Sequence, residues 1–189
     1  MIDKRQQILE ATAEMINEYG LQACPMSKIS ARAKCGAGTI YRYFETKQDL
    51  VAALFDDLIE TLTKACAEGY DESAPLRVRF EKIWGNYYCF ILNNPCQRGL
   101  MDQLLATPSI PQEHKEASLS ELQNLIGKLL DEGKQQGIFK ELPNPLLNTV
   151  TYGTLSLMAK KQQQFPNKFP CGSCSVDDVI GLCWDAIKR

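Results

Sequence analysis

Between positions 38 and 47 the chain places six residues suited to a polyanion or to the edge of a base: Gly38, Thr39, Tyr41, Arg42, Tyr43 and Lys47. Gly38 carries no side chain, so backbone there can come close to a phosphate or a base pair. Thr39 offers a hydroxyl to phosphate and a methyl to thymine. Tyr41 and Tyr43 carry phenol hydroxyls at phosphate reach. The Arg42 guanidinium has the fork that fits guanine O6 and N7, which makes it the candidate base reader. Lys47 falls in the first turn of a helix, where its ammonium and the free amides can share one phosphate. Ser27 and Lys28 open an earlier helix and can touch backbone in the same manner, whereas Ala37 has only a methyl to give. Ile40 and Phe44 lie on the opposite face and are expected in a core.

These residues need a rigid frame, and the periodicity around them is helical. Asp3 caps a first helix with apolar face Ile8, Ala11, Met15, Ile16 and Tyr19, and Gln6 stands in the capping-box position. Gly20 ends that helix in left-handed geometry. A short helix after Pro25 presents Met26, Ile29 and Ala33, and a turn at residues 34–36 leads to the short helix that holds Ile40 and Phe44. Two helices of about two turns each bury too little to stand alone. They must pack on the first helix and on the start of a fourth, capped by Thr46 with Asp49 at N3. This is helix-turn-helix geometry, which offers the third helix to a major groove.

The rest of the chain is helical as well, and apolar residues recur at three- and four-residue steps throughout. The fourth helix carries Leu50, Leu54, Leu58 and Leu62. Later helices carry Leu76 to Ile91, Leu100 to Leu105, Leu119 to Leu129, Val150 to Met158 and Val179 to Ile187. Asn144 is read as the cap of the penultimate helix, with Pro145 at N1, and Ser175 with Asp178 as the capping box of the last. The fold class is therefore all-α, with about nine helices. The expected organisation is a helix-turn-helix domain over residues 1–49 and a helical ligand-binding and dimerisation domain over residues 50–189.

Charge supports that division. The chain has 189 residues and a formal net charge of −2, so nucleic acid cannot be gripped by the whole surface. Residues 21–48, however, hold five basic side chains against one acidic, whereas residues 51–189 hold 14 basic and 17 acidic. Positive charge is concentrated where phosphate binding needs it. The start of the chain shows no apolar secretory stretch, and no 18-residue apolar window exists, so a cytoplasmic protein without a membrane partner is expected.

The ordered run from Ile29 to Leu50, with Gly38-Thr39-Ile40-Tyr41-Arg42-Tyr43-Phe44 followed by Thr46-Lys47-Gln48-Asp49-Leu50, resembles the DNA-binding signature of the tetracycline-repressor (TetR/AcrR) family. The similarity covers about residues 4–55. Three positions depart from the family pattern. Lys34 stands where a turn glycine is usual, and either costs roughly 1 kcal/mol in left-handed geometry or reshapes the turn. Cys35 replaces valine, and Gly36 replaces a serine cap.

The resemblance implies a ligand-responsive regulator, a repressor more than an activator, that binds a palindromic double-stranded operator as a homodimer. It implies release by a small, largely apolar inducer, no cofactor and no catalysis. Dimer contacts are expected from the last two helices at Val150, Gly153, Thr154, Leu157, Val179, Ile180, Cys183 and Ile187, paired as a four-helix bundle. Pocket walls are expected at Trp84, Tyr87, Tyr88, Phe90, Met101, Leu104 and Met158. Aromatic and Met side chains suit an apolar ligand.

Eight cysteines are present, and Cys171 and Cys174 form a CxxC. It opens an alternative: a thiol- or metal-responsive protein, sensor or redox enzyme. Zinc needs about four ligands. Cys183 is the only further candidate in that stretch, and His114, the one histidine, is remote and expected at the surface near a helix start.

Overall fold

A computed structural model describes residues 3–168 and 175–189. Among them are nine α-helices: α1 Lys4–Tyr19, α2 Met26–Arg32, α3 Ala37–Tyr43, α4 Lys47–Ala67, α5 Leu76–Asn93, α6 Pro95–Ala106, α7 Gln112–Gln135, α8 Asn144–Gln164 and α9 Val176–Ile187. A single 3₁₀ turn, Leu21–Ala23, joins α1 to α2. The described residues hold no β-strand, only an antiparallel bridge between Phe139 and Lys188. Cys171 and Cys174 lie outside the described residues.

By internal contacts the chain forms two compact units. One runs to Thr61 and takes in Pro95–Leu119; the other comprises Leu62–Asn94 and Ser120–Arg189. The linear boundary expected at residues 49/50 falls inside α4, whose apolar seam continues unbroken through Leu50, Leu54, Leu58 and Leu62.

In the first unit, α1 buries Ile8, Leu9, Ala11, Thr12, Met15 and Ile16. Tyr19, expected on that face, is instead 54% exposed and lies beside Glu18. Asp3 caps α1 by accepting from the Arg5 amide at 3.1 Å, and Gly20 closes it at φ 77°. Thr46 and Asp49 bond each other reciprocally at the start of α4, at 2.9 and 3.1 Å. The end of α6 is closed from a distance. The Lys115 ammonium, buried, donates to the carbonyls of Leu105 at 2.8 Å and Thr107 at 2.7 Å. Lys115→Met keeps the apolar stem but strands two carbonyls, and should cost about 2 kcal/mol in denaturant unfolding. An unchanged midpoint would show those carbonyls to be solvated.

His114 is the third residue of α7, near the helix start as expected, yet it is engaged. Its Nε2 is 2.9 Å from Asp56 Oδ1, and the Ser118 hydroxyl donates to the same oxygen at 2.6 Å. Both groups converge on one carboxylate oxygen, so they staple α7 to α4 and do not form a proton relay.

In the second unit, α5, α8 and α9 pack together around stacked and edge-on rings. Phe80 and Trp84 stack at 4.3 Å, and Trp184 meets Phe80 at 5.2 Å and Phe139 at 4.9 Å. The α9 stripe of Val179, Ile180, Cys183, Trp184 and Ile187 is buried in this core. Val179, Ile180, Cys183 and Ile187, expected at a dimer contact, are thus buried within the chain and leave little surface for a partner. Ser175 and Asp178 close the expected capping box. Asn144 is not a cap: Pro143 occupies that position and Asn144 is the first helical residue, donating its amide N–H to Asp131 at 2.8 Å.

Candidate nucleic-acid interface

The turn between α2 and α3 is set by backbone geometry. Lys34 adopts φ 47°, a left-handed conformation. The Cys35 amide then reaches back to the Ser30 carbonyl at 3.0 Å and the Lys34 amide to Ala31 at 3.2 Å, closing α2 as a Schellman motif. Gly36 in extended geometry caps α3 without a side chain, its carbonyl accepting from the Thr39 amide at 2.9 Å.

α3 is anchored by two side chains. Ile40 is fully buried and Phe44 nearly so, with the Arg5 guanidinium 5.6 Å from the Phe44 ring centroid. Four residues apart, they fix one face of the helix inward. The opposite face is free: Gly38 and Arg42 are exposed, Tyr41 is 52% and Tyr43 is 37% exposed, and Thr39 is half-buried. Arg42 lies over the Tyr43 ring at 5.5 Å, which holds its guanidinium along the helix surface. A Cβ built on Gly38 meets nothing within 4 Å, so close approach from outside is open there. Ala37 opens α3, and Ser27 and Lys28 are exposed in the first turn of α2.

Two basic residues of the local cluster do structural work. Arg32 pairs with Glu14 at 3.1 Å and Glu18 at 2.7 Å, fastening α2 to α1. The Tyr19 hydroxyl and then the Arg32 guanidinium hold the Glu18 carboxyl below its usual range. Sequence reasoning counted Arg32 only as a charge; the Glu14–Glu18 spacing of four on one face of α1 was the available signal. Lys47 is half-buried and donates to the Leu21 carbonyl at 2.8 Å. One of its three N–H donors is thus spent on the 3₁₀ turn.

The residues expected to wall a pocket are divided between the two compact units. Met101 and Leu104 are buried in the first unit, whereas Trp84, Tyr87, Tyr88 and Met158 belong to the second. Trp84 is stacked in the aromatic core. Tyr88 is buried and bonds Gln162 at 3.1 Å; Met158 and Phe90 are half-buried. Tyr87 bonds Ser156 at 2.6 Å, and burial pushes its phenol far up. Tyr87 and Trp84 share a cavity of about 30 Å³ with Cys66, Ile83, Leu122, Ile126, Asn148 and Tyr152. Burial pushes the Cys66 thiol up to about 12 and Cys183 up to about 11, so neither is a thiolate nucleophile. Among the described residues no cluster of three or more His, Cys, Asp or Glu is arranged for a metal. No described helix is long and apolar enough to cross a membrane.

Comparison with known proteins gives these features a lineage. Residues 8–54 match the model of "Bacterial regulatory proteins, tetR family", and residues 75–188 match "Tetracyclin repressor-like, C-terminal domain". An uncharacterized HTH-type transcriptional regulator of Haemophilus influenzae is 23% identical over 188 residues, covering 99% of this chain and 97% of that protein. A TetR family transcription regulator of Marinobacter aquaeolei superposes with TM-score 0.88 at 24% identity, covering 98% and 96% of the two chains. The transcriptional regulator FadR of Bacillus subtilis, solved in complex with stearoyl-CoA, superposes with TM-score 0.74 at 22% identity over 94% and 92%. With an N-terminal helix-turn-helix unit and a matching C-terminal domain together spanning most of its length, the chain belongs to the TetR family of transcriptional regulators.

Proposed function

We propose that the chain is a ligand-responsive repressor that binds a palindromic operator as a homodimer and leaves it when a small, largely apolar inducer binds. The observation that carries this reading is the division of labour on α3. Ile40 and Phe44 account for its attachment, while Tyr41, Arg42 and Tyr43 are exposed and Gly38 is open. A seven-residue helix gains nothing from two exposed phenols and a guanidinium unless a partner uses them. Ser27, Lys28, Ala37, Gly38, Thr39 and Lys47 complete the surface offered to the duplex.

The dimer surface is the outer face of α8. Leu146, Val150 and Leu157 are exposed there at steps of four and seven, with Gly153 and Thr154 beside them, and Leu182 is exposed on α9. That spacing is the seam of a helix–helix contact. α4 is one continuous helix that contributes to both compact units, which suits it to carry a ligand signal. The stearoyl-CoA complex of the FadR relative supports an acyl chain as the apolar part of the inducer. A coupling of roughly 1–3 kcal/mol would weaken operator binding 5- to 150-fold.

The deciding experiment is a gel shift with duplex DNA from upstream of the coding region, repeated over a range of salt. Lys47→Gln separates two roles. Glutamine keeps an N–H donor but is one atom shorter than lysine, so any loss of the Leu21 bond reads out separately as a fall in Tm. The lost charge should weaken binding to every duplex and reduce the salt slope by about 0.9 per protomer. No shift of any duplex at low salt would end the reading; an unchanged slope would confine Lys47 to its structural bond.

A further inference from the structure

We infer that the cleft between α7 and α8 is the head-group site for the inducer, and that the inducer is an uncharged amphiphile bearing an N–H or O–H donor. This rests on the ligand-responsive reading above and names the chemistry of its ligand.

The cleft has a volume of about 310 Å³ and is lined by Gln123, Ile126, Gly127, Leu130, Asn144, Pro145, Asn148 and Thr149. Ligand sites begin at about this size. The inner cavity of about 30 Å³ beside Trp84, Tyr87 and Tyr152 is lined by the same Ile126 and Asn148. The two spaces share a wall, of which Ile126 is held by contact alone. The cleft itself sets the Asn144 and Asn148 amides beside Ile126, Leu130 and Pro145, which is the layout for a polar head on an apolar tail.

The cleft holds unpaired acceptors. Asn144 Oδ1 and Asn148 Oδ1 are both buried and find no donor among the described residues. The Asn144 amide cannot be reversed without losing its 2.8 Å bond to Asp131, so its oxygen is fixed. Asp131 is in turn held by Lys134 at 2.9 Å, and Lys134 and Asn144 keep its carboxyl below the usual range. The Thr149 hydroxyl is spent on the Pro145 carbonyl at 2.7 Å. Asn144 Oδ1 is thus a fixed acceptor awaiting a donor, with the Asn148 amide beside it, and a buried unpaired acceptor costs of the order of 1–3 kcal/mol until it finds one. The lining contains no Lys, Arg or His, so a carboxylate or phosphate in the cleft would meet no counter-charge. Asn144 and Asn148 sit four residues apart on a different face of α8 from Leu146, Val150 and Leu157, which leaves cleft and dimer seam independently occupiable.

Titration calorimetry of the full chain with three probes of equal chain length tests this: octanamide, octan-1-ol and octanoate. The amide and the alcohol should bind at least 10-fold tighter than octanoate, and whichever of the two binds tighter identifies the donor as nitrogen or oxygen. Asn148→Leu should weaken octanamide 5- to 20-fold while Tm holds or rises, because an unpaired buried oxygen is removed. Octanoate binding as tightly as octanamide, no probe binding, or Asn148→Leu leaving octanamide unaffected would each overturn the inference. These readouts involve no DNA. A chain that shifts its operator but binds no probe loses this inference alone, and one that binds octanamide but shifts no duplex loses the repressor reading alone.

Discussion

Replacing Arg42 by alanine should lower operator affinity 5- to 150-fold per half-site and relax preference at one base pair, with no fall in Tm. The side chain is exposed on α3, and its modest contact is with the Tyr43 ring at 5.5 Å, so truncation leaves the core of Ile40 and Phe44 intact. A forked guanidinium on guanine is worth roughly 1–3 kcal/mol of discrimination, and a dimer presents it twice. Arg42→Lys refines the test. It keeps the positive charge and so the salt-dependent part of binding, but loses the bidentate fork, so non-specific affinity should survive while discrimination falls. Binding isotherms on the operator and on single-base variants, at two salt concentrations, distinguish the outcomes. Equal losses on all sequences would make Arg42 a phosphate contact. No loss on any would remove α3 from the groove.

The parts of this molecule that were legible in the sequence are those set by neighbours along the chain. Ile40 and Phe44, four apart in a short helix, announced which face of α3 is anchored. The Thr46–Asp49 and Ser175–Asp178 boxes could be read from spacing alone, and Lys34, where the sequence left open a strained left-handed residue or a reshaped turn, takes the left-handed conformation. What depended on distant residues was not legible. An amphipathic stripe says that one face of α9 is buried, not by what; Phe80 and Phe139 meet it at Trp184 within the same chain. The Lys47 donation to Leu21 spans 26 positions, and nothing local distinguishes it from a free phosphate ligand. Asn144 looked like a cap because caps favour its side-chain type, yet Asp131 claims that amide and shifts the helix start by one residue. Trp84 and Tyr88 show the same limit: they are residue types that line pockets and also types that fill cores, and both are buried here.

The aromatic core of the second unit makes the sharpest stability prediction, because two effects there oppose each other in sign. Gly133 sits inside α7, where helix propensity alone would favour alanine by about 1 kcal/mol. A Cβ at that position would lie 2.1 Å from Phe139 Cδ2 and 2.3 Å from Cε2. Phe139 is fully buried and boxed by Trp184 at 4.9 Å and Phe80 at 6.2 Å, so its ring has no free direction in which to give. The same segment carries the bridge to the C-terminus, with the Lys140 amide on the Ile187 carbonyl at 2.9 Å and the Arg189 amide on Ile138 at 2.9 Å. Moving the ring therefore disturbs the packing of α9 as well. The steric term should dominate, and Gly133→Ala should lose about 3 kcal/mol, a fall in Tm of roughly 6–12 °C in a chain of this size. The double variant Gly133→Ala with Phe139→Leu should recover part of that loss, because the two positions share one space and cannot be additive. If Gly133→Ala melts higher than the parent, helix propensity has won and the ring is mobile. If the double variant loses the sum of the two single effects, the methyl and the ring never meet, and the close packing of α7 on Phe139 is not what holds this unit together.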